Sequence, residues 1–384
     1  MVVSAHPVAS SIGLDVMRDG GNAMDAAVAV HWALAVTSPW AGNLGGGGFT
    51  VVRLADGRPL ALDFRETAPA AATRDMFLAA DGRAMHEWST CGALASGVPG
   101  SVAGLFALHD SLGRLPMERL IQPAIDLARE GTILTGVEAH KLNAHLPKLR
   151  KYSTRPSALT ARTQWQAGDT LRQPELARTL ERIRDHGAEG FYKGHTARLI
   201  VGEMKRGRGV ITERDLAAYT PRWRDVLVGN YRDAKVITMP PPSAGGIMLL
   251  QMLQGMETMD VRNAEVRSAA TVHRMVEVER RAFADRSAGI GDPAFTTVSV
   301  EHLLDTAYSR KRMLDFDPFH ATDSKLVNPG ELPLEHEQTT HFSIVDGEGN
   351  AVSCTTTLNG MYGNGVVVGG GGFLLNNEMV ELGT

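Results

Sequence analysis

The alternation of apolar and polar positions divides the chain into stretches of helical and of extended period. Residues 11–37, SIGLDVMRDGGNAMDAAVAVHWALAVT, read as two helices separated at Gly20-Gly21. In the second, Asn22 is placed to cap and Asp25 to favour the first turn. The Ala/Val-rich body that follows is apolar nearly all round, which predicts a buried helix. TVVRLADGRPLALDFRE reads as two strands about a turn at Asp56-Gly57. From about Gly100 to Lys205 the pattern is largely helical, with amphipathic runs such as SVAGLFALHDSLGRL and LARTLERIRDHG. GVITERDLAAY contains a capped helix start. GNYRDAKVITMPPPSAGG reads as strands ending in a Pro-rich turn, and ATVHRMVEVERRAFADRSAG as another amphipathic helix. Residues Phe316 to Glu337 are polar, Pro-bearing and weakly periodic, the pattern of an exposed, mobile connector. Next come FSIVD and NAVSC, alternating around DGEGN, a strong hairpin signal. Strands at both ends with helices between them predict a layered α/β or α+β architecture.

Composition narrows the function classes. The 384 residues are 43% hydrophobic and 21% charged, with a formal net charge of -4, so no basic footprint for nucleic acid is present. No apolar run approaches the roughly 20 residues of a membrane span. The opening MVVSAHPVASSIGLDVM has neither a basic n-region nor a sustained apolar segment, so no export signal is visible. The two cysteines, Cys91 and Cys354, match no metal-ligand spacing. Buried free thiols are the first reading, and a bridge between them stays open.

Glycine changes the picture more. There are 41, clustered in runs such as GNLGGGGF at 42–49. That run lacks the Lys-Ser/Thr of a P-loop and follows a helix rather than a strand, so close backbone approach is the better reading. Arg65 follows the strand LALDF. It is either a structural charge or a fork able to grip a carboxylate with two parallel hydrogen bonds. His341 shares a strand face with Thr339, which allows a Thr339–His341–Asp346 array on paper but supplies no geometry for it. The pair Thr339-Thr340 opens the hairpin directly after the connector. A Thr-rich strand is the plain reading. The sharper one is a threonine whose own α-amino group, released by cleavage of the preceding bond, takes the hydroxyl proton. An α-amino group has a reference pKa of about 8, so a useful fraction is unprotonated near neutrality.

The chain resembles the γ-glutamyltranspeptidases, members of the N-terminal-nucleophile hydrolase superfamily. The resemblance runs from about Gly13 to Glu378. It is carried by GGNAMDAAVA, GNLGGGGF, DFRETAP with TRDMF, ASGVPGSVAG, ITERDLAAY, MPPPSAGG, ADRS with GDP, TTHFSIVDGEGNAVSCTTTLN and LLNNEM. It implies an α+β fold, a four-layer αββα sandwich, and one composite domain. Residues 1–338 would form the large-subunit region, ending in the connector at about 316–338. Residues 339–384 would begin the small-subunit region. The precursor would cut itself between Gln338 and Thr339, giving two subunits from one chain. By resemblance Thr339 is the nucleophile and Thr357 the second threonine that hydrogen-bonds it. Arg65 binds the substrate α-carboxylate. Asn359, Glu378 and Glu381 face the α-amino end.

The implied reaction is γ-glutamyl transfer from glutathione and other γ-glutamyl amides to water or to an amino acid or dipeptide acceptor, with no metal or cofactor. A related amidase acting on a glutaryl-type side chain is the neighbouring alternative. The family is periplasmic or extracellular. The run NNEMVELGT departs from the Asp-Asp-Phe-like continuation usual in the family, which weakens the placement of Glu381. Relatives also continue past the point where this sequence stops, into a Ser-Ser pair and the Gly-Gly oxyanion hole. The expectation is therefore of a partial or frameshifted copy whose fold is incomplete, with a non-catalytic remnant as the third reading.

Overall fold

The computed structural model of the chain describes residues 1–259, 265, 267–328 and 339–382. By its contacts the chain divides into two units, one of residues 1–58, 62–223 and 336–384 and one of residues 59–61 and 224–335.

The chain opens with β1 (Val2–Val3), α1 (Pro7–Arg18) and α2 (Ala23–Thr37), then β2 (Gly47–Arg53) and β3 (Pro59–Asp63), of which residues 59–61 count with the second unit and the rest with the first. A helical stretch follows: α3 (His86–Thr90), α4 (Ser101–Leu112), α5 (Met117–Glu130), α6 (Gly136–Tyr152), α7 (Pro174–His186), α8 (Glu189–Tyr192), α9 (Gly194–Gly207) and α10 (Glu213–Ala218). A two-stranded ladder of β4 (Thr132–Ile133) and β5 (Thr170–Leu171) lies within it. After β6 (Arg222–Arg224) come the elements of the second unit: the antiparallel pair β7 (Leu227–Tyr231) and β8 (Ala234–Thr238), then α11 (Ala244–Glu257), α12 (Ala269–Gly289), α13 (Val300–Leu303) and α14 (Thr306–Arg312). The chain returns to the first unit with β9 (Thr339–Val345), β10 (Ala351–Thr357) and a terminal turn of helix, α15 (Met379–Leu382).

The main sheet runs β1-β9-β10-β2-β3-β6. Its centre is the hairpin read from DGEGN, with Gly349 in the left-handed region at the turn (φ 91°). All fifteen residues of α2 are buried, as the all-round apolar pattern predicts, and the helix packs against α1, α5 and the inner face of β9 and β10. Its start is a capping box: the Asn22 side chain accepts from the backbone of Met24 and Asp25, and Asp25 returns a bond to the Asn22 N–H. Asp346, in the hairpin turn, also accepts from the Ala23 N–H (3.0 Å), so the sheet is tied to the helix it rests on. The α+β class implied by the resemblance, one of the two that the pattern left open, holds.

In the second unit α12 carries a buried ionic knot. Glu277 accepts from Arg281 Nη1 (2.7 Å), Arg280 Nη1 (2.9 Å) and Thr322 Oγ1 (2.6 Å). This holds the start of the expected connector: residues 316–328 are mostly exposed, yet Thr322 is anchored. Residues 329–338 of the connector lie outside the described residues. Both cysteines are free thiols; Cys354 is buried and Cys91 half-buried.

Candidate active site

Thr339 is the first residue of β9 and is exposed, while Thr340, Phe342 and Ile344 point into the core. The alternation of TTHFSIV sets this orientation, because an apolar residue at every second position can be buried only if Thr339 and His341 face outward. β10 pairs in register, Thr357 opposite Thr339, Thr355 opposite His341 and Ser353 opposite Ser343. A polar row therefore runs along the outward face from Thr339. His341 bonds within that row, to Thr355 Oγ1 (2.8 Å), Ser343 Oγ (3.2 Å) and Ser353 Oγ (3.2 Å). Asp346 bonds instead to Asn350 and Ala23 at the far end of the hairpin. The Thr339–His341–Asp346 array is not assembled.

The run GNLGGGGF supplies closeness, not a phosphate cradle. A Cβ on Gly46 would stand 2.1 Å from the Thr357 carbonyl oxygen, and one on Gly48 2.2 Å from that of Thr355. The glycines let β2 lie against β10 beside the threonines. Asn43, in the same run and buried, ties this corner together. Its Nδ2 donates to the Thr357 carbonyl (2.8 Å), and its Oδ1 accepts from the Gly46 N–H (3.0 Å) and Ser101 Oγ (2.6 Å).

From Thr357 hydrogen bonds lead to Asn377, whose chain neighbour is the charged Glu378. Thr357 Oγ1 accepts from the Asn359 N–H (2.8 Å). Asn359 sits in the left-handed region (φ 68°), a conformation asparagine tolerates better than most residues. Its Nδ2 donates to the Asn377 carbonyl (3.2 Å), and Asn377 Oδ1 accepts from the Gly360 N–H (2.7 Å). The next residue is Glu378, whose N–H donates to Asn376 Oδ1 (3.0 Å). Glu378 is paired with Arg65; the carboxylate side chain is 1% exposed and the guanidinium 22%. Arg65 leaves the end of β3 and lies over the Phe49 ring, 5.7 Å from its centroid.

Thr339, Thr357, Asn359, Arg65 and Glu378, widely separated in sequence, thus belong to one connected corner of the first unit. Glu381 stands in the terminal helical turn, and its side chain lies outside those described, as does Gln338 altogether. The reading of the sequence did not single out Asn43 or Asn377; their only signal is their place inside two of the motifs, since a buried amide looks like any loop asparagine until its partners are known. Among the described residues no three His, Cys, Asp or Glu side chains stand close enough to hold a metal ion, and no helix is long and apolar enough to cross a membrane.

Known proteins resemble the chain over nearly its whole length. The sequence model of the gamma-glutamyltranspeptidase family matches residues 9–384. The glutathione hydrolase proenzyme of Escherichia coli K12 is 44% identical over 382 residues, which are 99% of this chain and 66% of that protein. The chain thus spans about two thirds of the length of the curated relatives it matches. The crystal structure of Helicobacter pylori gamma-glutamyltranspeptidase superposes with a TM-score of 0.82 at 43% identity, covering 85% of this chain and 95% of that one. A cephalosporin acylase from Bacillus halodurans superposes with a TM-score of 0.85 at 27% identity, covering 98% of this chain and 69% of its own. The chain belongs to the gamma-glutamyltranspeptidase family.

Proposed function

We propose that this chain carries the donor site and nucleophile of a γ-glutamyl-transferring hydrolase, matured by cleavage between Gln338 and Thr339. The observation that carries this reading is that Thr357, opposite Thr339, is hydrogen-bonded through Asn359 to Asn377, the neighbour of Glu378, which pairs with Arg65. A γ-glutamyl group bears a carboxylate and an ammonium on one carbon. A cation and an anion held side by side suit that zwitterion.

In maturation Thr339 Oγ attacks the Gln338 carbonyl, the peptide C–N bond breaks and an ester forms. Water hydrolyses the ester and leaves a free α-amino group on Thr339. In turnover that amine takes the hydroxyl proton as Thr339 Oγ attacks the γ-carbonyl, and the leaving amine departs with a proton. Water or an acceptor amine then attacks the acyl ester and restores the hydroxyl. Residues 1–338 and 339–384 would be the large-subunit and small-subunit regions of one precursor. Glutathione-type amides are the proposed donors, and an amino acid or dipeptide the acceptor.

The likeness to a cephalosporin acylase supports a second reading, an amidase for a glutaryl-type side chain. Glutaryl lacks the α-ammonium and so offers Glu378 no cation besides Arg65, whereas glutamyl brings a second; the buried carboxylate beside Arg65 favours glutamyl. Intact mass under denaturing conditions, for the wild type and Thr339→Ala, tests maturation. Two fragments from the wild type and one chain from the variant support it, whereas two single chains overturn it for this polypeptide. Turnover of a γ-glutamyl anilide against a glutaryl anilide then separates the two substrates.

A further inference from the structure

Arg65 stands just past the last hydrogen bond of its strand. Phe64 and Gly48 exchange the final ladder bonds, Phe64 N–H to the Gly48 carbonyl at 3.0 Å and Gly48 N–H to the Phe64 carbonyl at 3.3 Å. Beyond them the sheet no longer orients the chain, and the direction of the Arg65 side chain depends on what holds its two flanking peptide planes. The Arg65 N–H donates to Asp63 Oδ1 (2.9 Å). The Arg65 carbonyl accepts from Tyr219 Oη (2.7 Å). Tyr219 ends ITERDLAAY, a motif to which neither the chemistry nor the comparisons assign a role.

Tyr219 is itself rigidly seated. Its ring stacks on Tyr192, centroids 5.8 Å apart and planes within 6°. Tyr192 Oη donates to the Pro99 carbonyl (2.8 Å) and accepts from the Ala103 N–H (3.2 Å). A Cβ on Gly100 would stand 2.2 Å from Tyr219 Oη, so glycine there leaves the hydroxyl just enough room. α10, which leads into Tyr219, grips the same segment a second time: Asp215 Oδ1 accepts from the Ala70 N–H (2.9 Å) while Oδ2 caps the helix at Thr212 (2.8 Å). Burial raises the Tyr219 phenol well above its ordinary pKa, so it remains a donor.

We infer that Tyr219 is a positioning residue for Arg65 and so sets how strongly the site prefers ligands with an α-carboxylate over those without one. It touches no substrate; it fixes the peptide plane from which the guanidinium fork projects. The inference rests on the γ-glutamyl reading above. A residue that merely stabilised the fold would affect all ligands alike, whereas one that aims Arg65 affects only ligands whose carboxylate Arg65 meets.

The test is calorimetric binding of L-glutamate and of γ-aminobutyrate, which is glutamate without its α-carboxylate, to the full chain. Wild type, Tyr219→Phe, Arg65→Ala and the double variant are compared. Phenylalanine keeps the stack and removes only the hydroxyl. In Tyr219→Phe the Kd for glutamate is expected to rise roughly five- to tenfold, the effect of one hydrogen bond, while that for γ-aminobutyrate stays within twofold. In the Arg65→Ala background the same change has no further effect on glutamate. Equal binding of glutamate by Tyr219→Phe and wild type, equal losses for both ligands, or a loss that persists without Arg65 each overturn the inference alone. A wild-type protein with no preference for glutamate overturns the γ-glutamyl reading, and this inference with it.

Discussion

Thr357 stands directly opposite Thr339 across the β9–β10 pair, and its hydroxyl is already held by the Asn359 N–H at 2.8 Å. That bond fixes the place of Thr357 Oγ1 on the strand paired with Thr339, the proposed nucleophile. If that hydroxyl orients Thr339, Thr357→Val should slow maturation by about tenfold, the worth of one positioned hydrogen bond. Thr357→Ser should keep most of the rate. The time course of fragment formation, followed by denaturing mass spectrometry, decides this; equal rates for the valine and serine variants would exclude the role.

The Arg65–Glu378 pair makes charge and geometry separable. Arg65→Lys keeps the cation but not the planar fork, so KM for a γ-glutamyl anilide should rise about tenfold with little change in kcat. Glu378→Gln keeps the shape and removes the anion. It should weaken binding of glutamyl more than of glutaryl compounds. Steady-state kinetics with both anilides checks the two together, and an Arg65→Lys enzyme with an unaltered KM would remove Arg65 from the donor site.

The glycine run predicts an asymmetry in stability. Gly46→Ala and Gly48→Ala each place a methyl about 2 Å from a backbone oxygen of β10, which cannot swing aside as a side chain can. Each should cost about 1–3 kcal/mol in urea unfolding. Gly245→Ala, on the first turn of α11 with only the Ser243 hydroxyl near (3.7 Å), should be neutral or stabilising by up to about 1 kcal/mol. Similar losses at all three positions would refute the close-approach account.

His31 lies wholly within the core, where burial holds its pKa down at about 4. Its Nε2 is 3.2 Å from the Asn43 carbonyl. The folded chain keeps the imidazole neutral at pH values where the unfolded chain protonates it, near 6.5. The stability from this group is complete above pH 6.5. It is lost as pH falls from 6.5 to 4, and the loss levels off below 4 at about 3 kcal/mol. Urea midpoints between pH 7.5 and 4.5 should therefore fall more steeply for wild type than for His31→Leu, and parallel curves would show that His31 does not titrate across folding.

Much of this chain is legible as a one-dimensional pattern. The capping of α2 by Asn22, its burial and the hairpin around DGEGN follow from local rules, because capping, turn chemistry and side-chain period act over only a few residues. The outward placement of Thr339 follows as well, since moving the strand by one residue would expose Phe342 and Ile344. The motifs likewise carried the family. What the sequence left open was every relationship across distance. By its residues alone Arg65 could be read as a structural charge or as a fork, and it acquired a partner only when residue 378 returned to it. A Thr339–His341–Asp346 array could be written down from the sequence but not judged, and the extended hairpin holds His341 and Asp346 at separate stations. Asn43 and Tyr219 gave no sign of their partners, Thr357 and Arg65, because hydrogen bonds between residues hundreds or scores of positions apart follow from how helices and strands pack. The sequence by itself determined which strand and helix faces turn inward and which turn outward; only the tertiary structure decided which polar side chains, buried ones included, meet.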